Sequence, residues 1–279
     1  MGFYGTLTRK IEGISKAARK KTVVAVPKLT DTAHLLEGKV ALITGGSGGI
    51  GFAIAKAFVE SGCKVVITGT NQSKLDDRVE KLGNNCKGIV VNLTDTTILE
   101  GKVQEAAKCF DGRIDILVNA AGITNHTDFR HMTEKEYDDI MDINAKGTFF
   151  MCQFVSELMI KQKVKGHILN VTSSSALRPA WTPYQMSKWA IRGFTIGLAD
   201  TLIPYGIVVN AIAPGPVATP MLHRDDSDLY MENHPCKRMA SASEIANLAV
   251  FMVSNMGDLI VGDTFYITGG SGLISNRDI

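Results

Sequence analysis

Cysteine is scarce and scattered in this 279-residue chain: Cys63, Cys86, Cys109, Cys152 and Cys236 are odd in number and form no C-x-x-C pair. That excludes a disulfide-stapled scaffold and favours a reducing compartment. No apolar run reaches the ~18 residues of a membrane span, and the N-terminus lacks the apolar core of a signal peptide. The expectation is a cytoplasmic protein with no integral membrane segment. An excess of one charge is missing too: 30 Lys and Arg face 28 Asp and Glu, a net charge of +2. That balance argues against nucleic acid as a partner. Metal-ligand spacing is absent as well; His126, Asp128 and His131 resemble no zinc site, so no metal is expected. What remains is ordinary globular composition, 45% hydrophobic and 21% charged, in a chain long enough to bury a core.

The small net charge hides an asymmetry. Arg9, Lys10, Lys16, Arg19, Lys20, Lys21 and Lys28 stand against Glu12 alone in residues 1–30, a local charge of +6 that leaves −4 for the rest. Leu7, Ile11, Ile14 and Ala18 share one helical face there, as in a short basic amphipathic helix. Residues 1–36 therefore read as a basic N-terminal extension, and 37–279 as one catalytic domain.

From position 39 short apolar runs alternate with longer amphipathic stretches, the pattern of βαβ units around a parallel sheet covered on both faces. Seven strands are predicted at Val40–Thr44, Lys64–Thr68, Gly88–Val91, Ile114–Val118, His167–Val171, Ile207–Ala213 and Thr264–Ile267. Helices are predicted at Ile50–Ser61, Ser73–Leu82, Thr96–Cys109, Thr133–Lys163, Pro183–Ile203 and Ser243–Ser254. The longest carries Phe149, Phe150, Met151, Phe154, Val155, Leu158 and Met159, an apolar surface suited to core packing or to a subunit interface.

The first strand runs straight into TGGSGGIG at 44–51 and then into a helix. Glycines at such a turn let the backbone approach a pyrophosphate closely, and the helix N-terminus offers it free N–H groups. A dinucleotide site follows from that context, although the string fits three spellings of the glycine motif. At the end of the second strand stand Thr68-Gly69-Thr70-Asn71, where an NAD site usually places a carboxylate for the ribose hydroxyls. Without that charge a 2′-phosphate is not repelled, and Thr70 and Asn71 can donate hydrogen bonds to it. NADP(H) is therefore favoured over NAD(H), yet neither the glycine turn nor positions 68–73 supply an Arg or Lys.

Tyr184 and Lys188 lie four apart at the start of a predicted helix, so both face one side. An ammonium near a phenol favours phenolate and lowers its pKa from ~10 toward a range useful for proton exchange. Ser173, Ser174 and Ser175 close the preceding strand, at the end where parallel sheets place ligands. A hydroxyl there can hold a carbonyl oxygen while Tyr184 protonates it.

In order and spacing, the turn at 44–51, NAAG at 119–122, Asn144 in DINAKGTFF, Ser173, Tyr184/Lys188, PGPVAT at 214–219 and Thr268-Gly269-Gly270 resemble the short-chain dehydrogenase/reductase family over about residues 37–274. The nearest branches are the 3-oxoacyl-carrier-protein reductases and the sugar-acid dehydrogenases. The resemblance implies a single-domain doubly wound Rossmann α/β fold with a seven-stranded parallel sheet flanked by helices. It also implies an NAD(P)(H)-dependent oxidoreductase that interconverts a secondary alcohol and a ketone.

By the same resemblance Tyr184 is the general acid/base, Ser173 orients the carbonyl, Lys188 tunes Tyr184 and binds the nicotinamide ribose, and Asn144 anchors a water relay. Ser173 is preferred to Ser174 for its place directly after the strand. The implied cofactor contacts are Gly45, Ser47, Gly48, Gly49, Ile50, Gly51, Thr70, Asn71, Asn92, Leu93, Asn119, Ala120, Ala121, Gly122, Tyr184, Lys188, Pro214, Gly215, Val217 and Thr219. Asn92 departs from the family, which usually has Asp there.

Residues 221–240 occupy the place of a substrate-covering segment, and His223, Arg224, Asp225, Asp226, His234, Lys237 and Arg238 suggest a polar small molecule: a sugar acid, a polyol or a carrier-linked 3-oxoacyl group. Arg178 and Trp181 are further candidates to line the pocket. The family resemblance and the apolar 149–159 surface suggest a homodimer or homotetramer. Two other readings compete: a catalytically silent dinucleotide-binding scaffold or sensor, and a sugar-nucleotide epimerase or dehydratase. The intact Tyr184/Lys188 pair weighs against the first, and the short stretch after residue 220 against the second.

Overall fold

The computed structural model describes residues 34–225 and 227–272. The basic stretch 1–30 and Asp226 lie outside them. Seven strands form one sheet among the described residues: β1 (Val40–Thr44), β2 (Lys64–Gly69), β3 (Cys86–Val90), β4 (Ile116–Asn119), β5 (His167–Val171), β6 (Val208–Pro214) and β7 (Thr264–Ile267). Every pairing is parallel, in the order β3-β2-β1-β4-β5-β6-β7. The chain reverses direction across the sheet between β1 and β4, which opens a crevice at their C-terminal ends.

Alternation along the strands feeds two cores, as the two-residue period of a pleated strand requires. Ala41, Ile43, Val65 and Ile67 join one core with Ile54 and Phe58 of α1 (Gly49–Glu60), Leu75 of α2 (Gln72–Leu82), and Ile245 and Ala249 of α7 (Ala242–Val253). Leu42 and Val66 point the other way, toward Val103 of α3 (Leu99–Cys109), Val155 of α5 (Thr148–Gln162) and Leu202 of α6 (Pro183–Leu202). Buried Asp115 fixes the β1/β4 edge by accepting the Val40 N–H at 2.9 Å.

Three departures from the sequence reading have local causes. Leu36 is fully buried and its N–H donates to Ser61 O at 3.0 Å, so the packed unit begins ahead of residue 37. Strand β3 starts at Cys86, two residues early, because Cys86 pairs with Val65. The predicted Thr133–Lys163 helix is three pieces: α4 (Glu134–Met141), a π-helical turn (Asp142–Gly147) and α5. Gly147 lets the wide turn pack directly on the loop after β3, since a Cβ there would lie 2.8 Å from Leu93 Cβ. Such turns often mark functional sites, and Asn144 lies within this one.

Candidate active site

The glycine turn follows β1 directly. Gly45 has φ +65°, and a Cβ on it would fall 2.6 Å from Ala121 Cα, so only glycine lets the loops after β1 and β4 close together. Thr219, from the loop after β6, rests on the same turn; a Cβ on Gly49 would meet its Cγ2 at 2.6 Å. Helices α2, α4, α6 and α7 each begin with a side-chain cap, but α1 has none and no acidic residue in its first turn. Its unpaired N–H groups face a cavity of ≈ 290 Å³ at the crevice.

Gly45, Ser47, Gly48, Gly49, Ile50, Gly51, Thr70, Asn92, Leu93, Ala120, Ala121, Gly122 and Thr219 line that cavity. A bare helix N-terminus and a glycine floor fit the pyrophosphate of a dinucleotide. Asn71 borders the cavity residue Thr70, and its Oδ1 accepts the Lys74 N–H at 2.9 Å and caps α2. Asn119 turns into the core, donating to Asn170 Oδ1 at 3.0 Å and to Cys152 Sγ at 3.2 Å. Pro214, Val217 and Lys188 are buried, and with Gly215 and Tyr184 they fall outside the cavity lining. Asn92 Oδ1 accepts from the Thr94 N–H and hydroxyl at 3.2 and 3.0 Å, in the cavity wall. Thr68, Gly69, Val91, Ile123, Ile143 and Met221 also line it; they contribute backbone or plain apolar surface, and no motif announces them.

Helix α6 carries Tyr184 and Lys188. A capping box between Thr182 and Gln185 starts the helix, with Pro183 in its first turn, and so fixes Tyr184 in the first turn and the buried Lys188 one turn further along. Two bonds tie that turn to β5: Lys188 Nζ donates to Val171 O at 3.0 Å, and Thr172 Oγ1 donates to Lys188 O at 2.8 Å. Asn144 braces the other side. Its Oδ1 accepts the Ile123 N–H at 2.9 Å, while its Nδ2 donates to Ile123 O at 3.0 Å and to Ser187 Oγ at 3.1 Å. Gly122 lies between them, with its missing Cβ 3.3 Å from Asn144 Oδ1 and 3.6 Å from Lys188 Nζ. Tyr184, Ser173, Lys188 and Asn144 thus converge at one end of the crevice.

The electrostatics differ from the sequence expectation for Tyr184. Burial pushes its phenol above the ordinary value, and the hydrogen bond with the Ser173 hydroxyl draws it partly back. Lys188 Nζ is 5.6 Å from the Tyr184 ring centroid. Burial also lowers Lys188 itself, to about 8. Burial therefore acts on both groups toward their neutral forms, and it outweighs the neighbouring ammonium in setting the phenol.

The polar segment 221–240 is likewise turned to other uses. His234 is buried, facing Thr268 O through Nε2 at 3.0 Å while Nδ1 accepts the Cys236 N–H at 3.2 Å. Arg238 makes two 2.7 Å bonds to Glu244, and Arg224 pairs with Asp228 at 3.0 Å. Asp225 accepts from Ser227. These charges hold the segment together, and the residue it presents to the cavity is Met221. Arg178 is tied to Ser271 Oγ at 2.8 Å, and Trp181 is 57% exposed beside an apolar groove with Phe129, Tyr137 and Met186.

A family model described as short chain dehydrogenase matches residues 39–229. The chain belongs to this family. It is 36% identical over 241 residues to the 3-oxoacyl-[acyl-carrier-protein] reductase of Vibrio harveyi, covering 84% of this chain and 98% of that protein. It is 33% identical over 247 residues to a (2S)-[(R)-hydroxy(phenyl)methyl]succinyl-CoA dehydrogenase subunit of Thauera aromatica, covering 86% and 99%. The crystal structure of 3-ketoacyl-(acyl-carrier-protein) reductase from Brucella melitensis complexed with NADH superposes with a TM-score of 0.79 at 30% identity, covering 86% of this chain and all of that one. This dehydrogenase is accordingly an oxidoreductase that uses a nicotinamide dinucleotide to interconvert a secondary alcohol and a ketone. Among the described residues no helix is long and apolar enough to cross a membrane.

Proposed function

We propose that this dehydrogenase reduces the ketone of a 3-oxoacyl thioester, with NADPH preferred to NADH. The observation that carries the proton-transfer part is the convergence of Tyr184, Ser173 and Lys188 beside the cavity, held by the Lys188–Val171 and Asn144–Ile123 bonds. When bound, the dinucleotide supplies the hydride. Ser173 holds the carbonyl oxygen, and Tyr184 gives it a proton from its hydroxyl. Lys188, beneath the phenol, stabilises the phenolate left behind, and Asn144 fixes the backbone through which water reaches Lys188. Gly45, Ser47, Gly48, Gly49, Ile50 and Gly51 receive the pyrophosphate, Thr70 the 2′-phosphate, and Asn92 and Leu93 the adenine.

The thioester follows from the substrates named for the Vibrio and Thauera relatives and from an apolar Met221 facing the cavity. The same reading takes residues 37–279, with Leu36 packed against them, as one catalytic domain in the cytoplasm. A homodimer or homotetramer would cover Phe149, Trp189 and Ile196, which are 47%, 41% and 56% exposed. The test is a parallel fluorescence titration with NADPH and NADH, followed by turnover of acetoacetyl-coenzyme A. Tighter NADPH binding and loss of reduced-cofactor absorbance with the thioester are expected. Binding of neither cofactor would leave a silent scaffold, and turnover confined to sugar acids would overturn the thioester.

A further inference from the structure

The NADP reading lacks a cation: neither the glycine turn nor residues 68–73 hold an Arg or Lys. We infer that Arg78, on the second turn of α2, supplies it and is the residue that recognises the adenosine 2′-phosphate. The inference rests on that reading of the cofactor and adds the charge it needs.

Arg78 lies three residues past Leu75, on the same side of α2. Leu75 Cδ2 is 3.6 Å from the point where a Cβ on Gly69 would stand, and Ser47 Oγ is 2.6 Å from that point. Ser47, Gly69 and Thr70 all line the cavity. A long helical side chain leans toward the N-terminus of its helix, the end of α2 that follows Thr70; Arg78 itself lies just outside the cavity lining. The guanidinium is in fact gathered in from the outer surface of α2. It sits 4.3 Å over the ring of Phe52, the residue directly after Gly51 of the phosphate-binding turn.

Its hydrogen bonding is incomplete. Nη1 contacts Asp77 Oδ2 at 3.2 Å, while Nε is buried with no partner. Asp77 is also held by Lys81 at 2.8 Å, so it has a second cation when Arg78 turns to another anion. A phosphate accepts two parallel N–H bonds from a guanidinium, and Phe52 keeps the plane of the fork fixed. Lys74 is nearer in sequence but exposed, with no such ring to place it.

The experiment is calorimetric titration with 2′,5′-ADP and with ADP, which reads the 2′-phosphate without nicotinamide or turnover. Wild-type protein is compared with Arg78→Met, which keeps an unbranched chain over Phe52, with Arg78→Lys and with Lys74→Met. The expected result is a wild-type preference for 2′,5′-ADP that falls about tenfold or more in Arg78→Met, only partly in Arg78→Lys, and not in Lys74→Met. ADP affinity stays within about twofold throughout. If the preference survives Arg78→Met, if it is lost in Lys74→Met instead, or if both ligands weaken equally, the assignment of Arg78 is overturned while the NADP reading stands. A wild-type preference for ADP would overturn the NADP reading itself. Should Arg78→Met not fold, Arg78→Lys carries the test, and an unchanged ratio in it refutes recognition by the guanidinium fork.

Discussion

Replacing Lys188 by Met should change how stability depends on pH, and the structure sets both the sign and the size. Burial lowers Lys188 from 10.5 to about 8 in the folded protein. Between those values the unfolded chain binds the proton and the folded one does not, so stability rises with pH across that window. For this pair of pKa values the gain between about pH 7 and pH 9 is on the order of 1 kcal/mol.

Buried thiols work in the opposite direction. Burial raises Cys63, Cys86 and Cys152, the last two from 9.0 to about 12. At about pH 9 each is half ionised in the unfolded chain yet protonated in the fold, which costs roughly a few tenths of a kcal/mol apiece. The two effects nearly cancel. Wild-type stability should therefore be almost flat from about pH 7 to pH 9, whereas Lys188→Met should lose about 1 kcal/mol over the same range. Urea denaturation of both proteins, cofactor-free and with thiols kept reduced, gives the two curves, and only their difference in slope matters. Parallel curves would refute the reasoning, because Lys188 would then not be desolvated in the fold.

Two further outcomes follow from the site. Tyr184→Phe keeps a ring beside Lys188 but removes the transferable proton, so steady-state kinetics should show kcat down by about 10²–10⁴ with NADPH binding within about twofold; near-normal turnover would remove Tyr184 from its role. Gly51→Ala drives a Cβ into Gly45 O, a backbone atom that cannot swing aside. The start of α1 must shift, which should destabilise the protein by about 1–3 kcal/mol, lower Tm by several degrees and weaken cofactor binding at least about tenfold; unchanged melting and binding would show that the turn has slack.

Much of the site was legible because its residues act through local chemistry. The glycines mark a strand-to-helix turn whatever surrounds them, and a Tyr and a Lys four apart share a helix face in any context. Asn71 has a second use that spacing does not announce: its carbonyl oxygen takes the Lys74 N–H as a helix cap, while the amide N–H₂ is the group a ligand would meet. The charges of 221–240 were read as facing a substrate because a sequence shows charge but not its partner; Glu244 and Asp228 take up Arg238 and Arg224. For Tyr184, spacing foretold a neighbouring ammonium, but depth of burial is a property of the packed molecule, and it dominates the phenol.

By itself the sequence determined the alternation of strands and helices, the glycine turn from β1 into α1 and the shared helix face of Tyr184 and Lys188, since each depends on periodicity or backbone freedom within a few residues. Tertiary structure alone decided the π-helical turn that sets Asn144 against Ile123, the seating of Thr219 on Gly49 and the folding back of Arg78 over Phe52. Each of these joins segments far apart in the chain. Their geometry comes from how two layers of helices pack on one twisted sheet, which no short stretch of sequence contains.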